Sequence, residues 1–311
     1  MSKITETITY VAPEGEEIQF PVARVVGHKR GPRVLVTAGI HGCEYPGIVA
    51  AIRLFQELEP SELCGEVTII TVCSVQSFQK RSFFVNPADG KNPNRFFPGN
   101  IDGTYSEVQA YHLFNDFILK SDFYLDLHGG DMVEALVPFS IYHGGENNET
   151  ERLSRELAEY YGLPHIVRTA TGGAWNDGGT TYANAAKAGI PAAIVEVGGV
   201  GQLERKCVDG HLHGLRNVLR HLKCLGGAAE KPANIQYYDN FTWVMSPAAG
   251  IFIRSIELGD SLTKGQKIGQ VEDFFGNKLA EVVSPCDGII LFLTSSPAIS
   301  EQGLILGVAS N

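Results

Sequence analysis

Three of the nine histidines stand three residues ahead of an acid: His41 before Glu44, His128 before Asp131, and His143 before Glu146. That spacing offers a metal one imidazole nitrogen and one carboxylate oxygen. A catalytic zinc takes three such protein ligands and keeps one position open. Spacing alone does not choose among the three, but context does. His41 follows the apolar run Val34-Leu35-Val36-Thr37-Ala38-Gly39-Ile40, with Gly39 and Gly42 to turn the chain and Pro46 suited to a first helical turn. His41 and Glu44 are therefore expected in a strand-to-helix loop, at the carboxyl edge of a sheet where open α/β folds place ligands. His128 closes Phe123-Tyr124-Leu125-Asp126-Leu127-His128 and is expected at another strand end as the third ligand. Alternation puts Asp126 on the same side, where it would orient the imidazole. His143 lies in a Gly-Gly-Glu-Asn-Asn turn, and Cys43 points away from its neighbours. The histidines at 28, 112, 165, 211, 213 and 221 read as structural residues without partners.

Hydrolysis at such a centre needs a base for the water, whose pKa the metal lowers to about 7. Glu196 is the one acid in the run Ala192-Ala193-Ile194-Val195-Glu196-Val197, just ahead of Gly198-Gly199. A carboxylate inside an apolar strand is costly unless it meets a cation, so Glu196 is expected at the same edge as general base. Asn92-Pro93-Asn94-Arg95-Phe96-Phe97-Pro98-Gly99 is a loop of turn formers. Its Arg95 offers a forked guanidinium to a carboxylate, with the Asn94 amide beside it. Arg81, upstream, is the candidate to hold a developing oxyanion.

These residues need elements to carry them. Up to about residue 225, apolar runs over 34–37, 67–72, 123–127, 137–142 and 192–197 alternate with helical stretches over 46–58, 106–120, 150–160, 181–188 and 209–225. Alternation of this kind predicts an α/β layered sheet, parallel in its middle. Residues 228–238 read as a linker. From Phe241 onward, short β-type runs are separated by glycine turns, and Ser246-Pro247-Ala248-Ala249-Gly250-Ile251 recurs as Ser284-Pro285-Cys286-Asp287-Gly288-Ile289. The repeat resembles half of a flattened barrel written twice, as in lipoyl/biotinyl carrier modules. Lys278 lacks the flanking residues of a carrier lysine, so a structural use is expected. The expected organisation is a catalytic domain over 1–227, a linker over 228–238 and an all-β module over 239–311.

Composition narrows the classes. Lys and Arg number 25 against 35 Asp and Glu, a net charge of −10, which argues against a nucleic-acid partner. Hydrophobic content of 44% and charged content of 19% describe a chain that folds. Met1 to Tyr10 carries no basic start and apolar core of a signal peptide, and no stretch approaches the length of a membrane span. The six cysteines have no C-x-x-C spacing and read as reduced thiols of a cytoplasmic protein. Glycine, at 35 of 311 residues, is in excess without a period, and its explanation must lie in loops.

Taken in order, His41-x-x-Glu44, Arg81, Asn94-Arg95 before Phe97-Pro98-Gly99, Asp126-Leu127-His128 and Glu196-Val197-Gly198-Gly199 resemble the succinylglutamate desuccinylase/aspartoacylase family. The resemblance spans the whole chain. It implies a zinc carboxypeptidase-like mixed sheet flanked by helices, with one Zn2+ on His41, Glu44 and His128. It implies Glu196 as water-activating base and Arg81 at the oxyanion. Asn94 and Arg95 would hold the substrate carboxylate, with Tyr182 as a further substrate contact. Two departures stand out. Pro93 replaces the leucine usual before Asn-Arg. Ala186 stands ten residues before Glu196, where aspartoacylases carry an arginine for a second carboxylate. The expected activity is deacylation of a small N-acyl amino acid, neutral or cationic, such as an N-acetylated diamino acid. The alternatives are a zinc carboxypeptidase for short peptides and a non-enzymatic binding protein. The partner expected is the small substrate, with no nucleic acid and no membrane; a homo-oligomer stays open.

Overall fold

The computed structural model describes residues 1–145, 148–170 and 179–311. In chain order the first part runs β1 (Ser2–Val11), β2 (Glu17–Val26), β3 (Lys29–Ala38), α1 (Tyr45–Glu57), β4 (Cys64–Ile70), α2 (Val75–Lys80), α3 (Tyr105–His112) and β5 (Phe123–His128). It continues with β6 (Glu134–Leu136), β7 (Phe139–Gly144), α4 (Asn148–Tyr161), β8 (His165–Ala170), α5 (Thr181–Lys187), β9 (Ala192–Glu196), α6 (Arg205–His221) and β10 (Gln236–Tyr238). Nine of these strands form one mixed sheet in the order β1-β2-β4-β3-β5-β9-β7-β8-β10. Its centre, β4-β3-β5-β9, is parallel, as the alternation predicts. Alternate side chains of the central strands feed two cores. Val36, Leu125, Leu127 and Val195 pack with α1, α4 and α6 on one face. Leu35, Tyr124 and Ile194 pack with α3 and α5 on the other.

Several elements differ from expectation. The hairpin β1–β2, the short α2 and β8 were not foreseen. β1 exposes polar residues on both faces of a sheet edge, so it carries little apolar periodicity. The helix expected over 106–120 is α-helical only to His112; residues 113–117 form a π turn and 118–120 a 3-10 turn. It begins at Tyr105, one residue ahead of the expected 106, after the N-cap Thr104, whose N–H donates to the Glu107 carboxylate at 2.7 Å. α6 begins at Arg205, ahead of the expected start at 209. Part of the stretch expected as linker forms β10, which extends the main sheet beside β8.

The remainder is all β: β11 (Asn240–Met245), β12 (Gly250–Arg254), β13 (Ser261–Leu262), β14 (Lys267–Glu272), β15 (Lys278–Val283), β16 (Gly288–Thr294), β17 (Ala298–Ile299) and β18 (Leu304–Ser310). One sheet runs β11-β18-β16-β13, the other β15-β14-β12-β17. The sequence repeat is a structural one. The Ser246 hydroxyl donates to the carbonyl of Ala248 at 2.7 Å, and Ser284 donates to Cys286 at 2.7 Å. Each turn leads into a strand at the following glycine, β12 or β16. Lys278 opens β15 and ion-pairs with Glu281 at 2.7 Å. β6 leaves the main sheet to pair with β16, tying the two parts together. Among the described residues, no helix is long and apolar enough to cross a membrane. All six cysteines are free.

Candidate metal centre and active site

β3 ends at Ala38, and Gly39 turns the chain at φ 66°, a region open to glycine without steric cost. The loop then delivers His41 and Glu44, the latter at the N-cap of α1 with Pro46 in the first turn. β5 lies beside β3 and ends on His128. The three side chains converge. His41 Nδ1 is 2.8 Å from Glu44 Oε1, and His128 Nδ1 is 3.0 Å from Glu44 Oε2. One ligand atom from each lies within 4.8 Å of the others, a group that could hold a metal ion. Glu44 Oε2 is buried without a well-directed hydrogen bond, although an imidazole faces it. Two imidazoles converging on one buried carboxylate, one of whose oxygens has no well-directed hydrogen bond, suit a shared cation.

Asp126 does what its place in the strand predicts. Its Oδ2 lies 3.0 Å from His128 Nε2, and it accepts from the hydroxyls of Thr37 and Thr181 at 2.6 Å each. An imidazole that gives its Nε2 proton to this fully buried carboxylate presents Nδ1 to the ligand cluster. Burial works against charge on His128, but Asp126 and Glu44 outweigh it and raise its pKa well above the usual value. Burial likewise works to raise Glu44, but His128 and His41 outweigh it and hold the carboxyl down, at about 2.

β9 runs parallel to β5, and Glu196 is the register partner of His128. The proposed base therefore stands one strand from a proposed ligand. Burial pushes its pKa up to about 8; Glu44 and Asp126 add to the rise, while His128 and Arg95 oppose it. Asn94 and Arg95 come from the loop before α3. Asn94 is buried, and its Oδ1 accepts from the Thr181 N–H at 2.9 Å. The Arg95 guanidinium donates to the Asn94 carbonyl at 2.7 Å, and burial lowers its pKa. His41, Glu44, Asn94, Arg95, His128 and Glu196 all line one cavity of about 420 Å³.

Two expected residues do not line that cavity. Arg81 is exposed at the end of α2, at φ 53°, near Cys43 and Tyr45. Tyr182 is fully buried, with its hydroxyl 3.0 Å from that of Thr169, in the electrostatic range of Arg95 and Glu196. Other lining residues were not anticipated. Asn92 Oδ1 lies 3.1 Å from His41 Nε2 and also accepts from the Asn94 N–H at 2.9 Å. Its signal was present as an Asx-type start to the Pro93 turn. Glu134, Phe139 and Ile194 line the cavity too, with Trp243, Met245, Phe292 and Leu304 from the β-rich part. These arrive by tertiary packing and leave no local pattern.

The remaining histidines correct an expectation, because most have partners. His28 meets the Leu63 carbonyl at 2.9 Å, His112 meets Asp116 at 3.0 Å, and His221 meets Glu156 at 3.2 Å. His165 lies on β8, 3.1 Å from the Tyr238 hydroxyl, and His211 is 2.6 Å from that of Tyr161. His143 is buried with Nδ1 unpartnered. Glu146, its presumed neighbour, lies outside the described residues.

Fold and site together define a mixed α/β chain with a His-Glu-His cluster and an acid at the carboxyl edge of its sheet. The chain belongs to the succinylglutamate desuccinylase/aspartoacylase family: residues 30–222 match its catalytic domain. It is similar to the N-alpha-acetyl-L-2,4-diaminobutyric acid deacetylase of Halomonas elongata, at 30% identity over 272 residues, covering 85% of this chain and 77% of that one. Among solved structures it resembles a succinylglutamate desuccinylase/aspartoacylase from Rhodobacter sphaeroides, with a TM-score of 0.87, 24% identity and coverage of 99% and 95%. It also resembles the product-bound ectoine utilization protein EutE (DoeB) from Ruegeria pomeroyi, with a TM-score of 0.87, 23% identity and coverage of 100% and 95%.

Proposed function

We propose that the protein is a zinc-dependent deacylase that hydrolyses the amide bond of a small N-acyl amino acid. The observation that carries this reading is the pairing of Glu196 with His128 across β9 and β5, beside the His41–Glu44 loop. The 30% identical deacetylase supports it independently. Two imidazoles and a carboxylate suit zinc by ligand type. Zinc, when bound there, supplies Lewis-acid charge that acidifies a water and polarises a carbonyl.

The chain's own groups do the rest. Glu196 takes a proton from the attacking water and passes it to the nitrogen of the departing amine. The products are the acyl carboxylate and the free amino acid. Asn94 and Arg95 hold the α-carboxylate; Tyr182, fully buried behind the cavity lining and within electrostatic range of Arg95 and Glu196, supports them from outside the cavity. The family resemblance assigns Arg81 to the acyl oxygen as it gains charge, a role that requires its side chain to reach in from the exposed end of α2, outside the cavity lining. The position of the aspartoacylase arginine is Ala186 on α5, which favours a substrate with no second carboxylate. We assign the catalysis to residues 1–227, the linker to 228–238, and a lipoyl/biotinyl-like module to 239–311. Free cysteines suit a cytoplasmic setting.

Side chains from β11, β16 and β18 wall the cavity, which supports small substrates over the extended peptides of a carboxypeptidase. The test is an amine-release screen of zinc-loaded enzyme across N-acyl amino acids, with peptides and N-acetylaspartate alongside. Turnover of N-acetyl-diaminobutyrate above both is expected. Preference for peptides would overturn the reading.

A further inference from the structure

One acid in the cavity has no part in the reaction above. Glu134 opens β6, is 7% exposed and lines the cavity. Its Oε2 accepts from the Asp131 N–H at 2.8 Å. It is held firmly. Its carbonyl accepts from the Val200 N–H at 2.8 Å, and a Cβ on Gly130 or Gly199 would come within 2.1 or 2.4 Å of that oxygen. β16 fixes it from the other side, where Thr294 is its register partner.

The surroundings are hostile to a carboxylate. Burial, first, and the charges of Glu44, Asp131 and Glu196 push the Glu134 carboxyl well above its usual range. Arg95 is within electrostatic reach of both Glu134 and Glu196. A substrate carboxylate seated on Arg95 adds another negative charge to the same space. With a metal taking up the charge of Glu44, Glu134 is left as a desolvated acid lining the cavity, which a cation carried by the substrate would pair with. The cavity also presents Trp243 and Phe292, packed edge to face at 5.0 Å. Aromatic rings and a desolvated carboxylate lining one cavity favour an ammonium over a neutral group of equal size.

We propose that Glu134 selects an N-acylated diamino acid, receiving its side-chain ammonium while Arg95 takes the α-carboxylate. This rests on the deacylase reading above. The competing role, a brace for the Asp131 turn alone, predicts no dependence on substrate charge.

The experiment compares wild type and E134Q, zinc loaded, on N-acetyl-2,4-diaminobutyrate and on N-acetyl-2-aminobutyrate, which lacks the ammonium. Metal content and melting temperature are measured on both proteins. Wild type is expected to favour the diamino substrate. E134Q should lower kcat/KM for it by about 10- to 100-fold, mostly through KM, and change the uncharged substrate by less than about threefold. An unchanged preference in E134Q, or no preference in wild type, overturns the proposal. Wild type inactive on every N-acyl amino acid overturns the deacylase reading and this inference with it. Should E134Q lose metal or melt early, product inhibition of wild type decides. Diaminobutyrate must then inhibit more strongly than 2-aminobutyrate, and equal inhibition refutes the assignment.

Discussion

At the scale of single residues, the proposed base and the residue that orients a proposed ligand are separate groups. Glu196 stands beside the ligand cluster without belonging to it. Glu196→Gln keeps shape and hydrogen bonding but cannot take a proton. It should retain metal at the wild-type level and lose about 10²- to 10⁴-fold in kcat, the usual contribution of a general base. Metal analysis with a single-substrate assay checks this, and a fully active variant would refute the assignment. Asp126 acts one step back, through His128. Asp126→Asn leaves both threonine contacts feasible but weakens the acceptor for the imidazole Nε2 proton. Metal affinity should fall by about 10- to 100-fold, read by competition with a chelator. Unchanged affinity would reduce Asp126 to a partner of Thr37 and Thr181.

At the scale of elements, what could be read from the sequence was what ends an apolar run. His128 and Glu196 close β5 and β9, and His41 follows β3 through a glycine, so each announced its place at the sheet edge. Glu134 did not, because three-residue β6 owes its position to pairing with the distant β16. β1 was hidden by its polar alternation, and β10 because three residues carry no period. His211 shows a similar gap. On α6 it meets Tyr161 of α4 at 2.6 Å and the Val197 carbonyl at the end of β9 at 3.3 Å, tying three elements. Burial holds its pKa down to about 4, against about 6.5 when unfolded. Above pH 6.5 it is neutral in both states and contributes no pH dependence. Between about 6.5 and 4 only the unfolded chain takes the proton, so stability falls as pH falls, by about 3 kcal/mol in total. His211→Gln should flatten this acid limb, although it loses some stability at neutral pH. Urea unfolding of the metal-free proteins at several pH values measures it, and parallel slopes would refute the assignment.

At the scale of the whole molecule, the β-rich part is a component of the active-site cavity. Trp243 and Met245 of β11, Phe292 of β16 and Leu304 of β18 supply one wall. That wall is anchored by the β6–β16 pairing and by Phe139 stacked on Phe241 at 5.7 Å. A cavity of about 420 Å³ sits at the small end of the range for ligand sites, roughly 300–1,000 Å³. On the proposed function, substrate length is set by side chains that lie far in sequence from the His41–Glu44–His128 cluster. Trp243→Ala removes the largest of them from full-length protein, away from the ligand cluster and from Glu196. It should raise kcat/KM for an N-benzoyl amino acid relative to its N-acetyl counterpart by at least about tenfold, since a single methylene that fits or fails to fit an apolar pocket is worth about 10- to 200-fold. Metal content should not change. The measurement is the ratio of the two rates in each protein. A ratio unmoved by the substitution would mean that the acyl group binds elsewhere, and that the module closes the cavity without deciding what enters it.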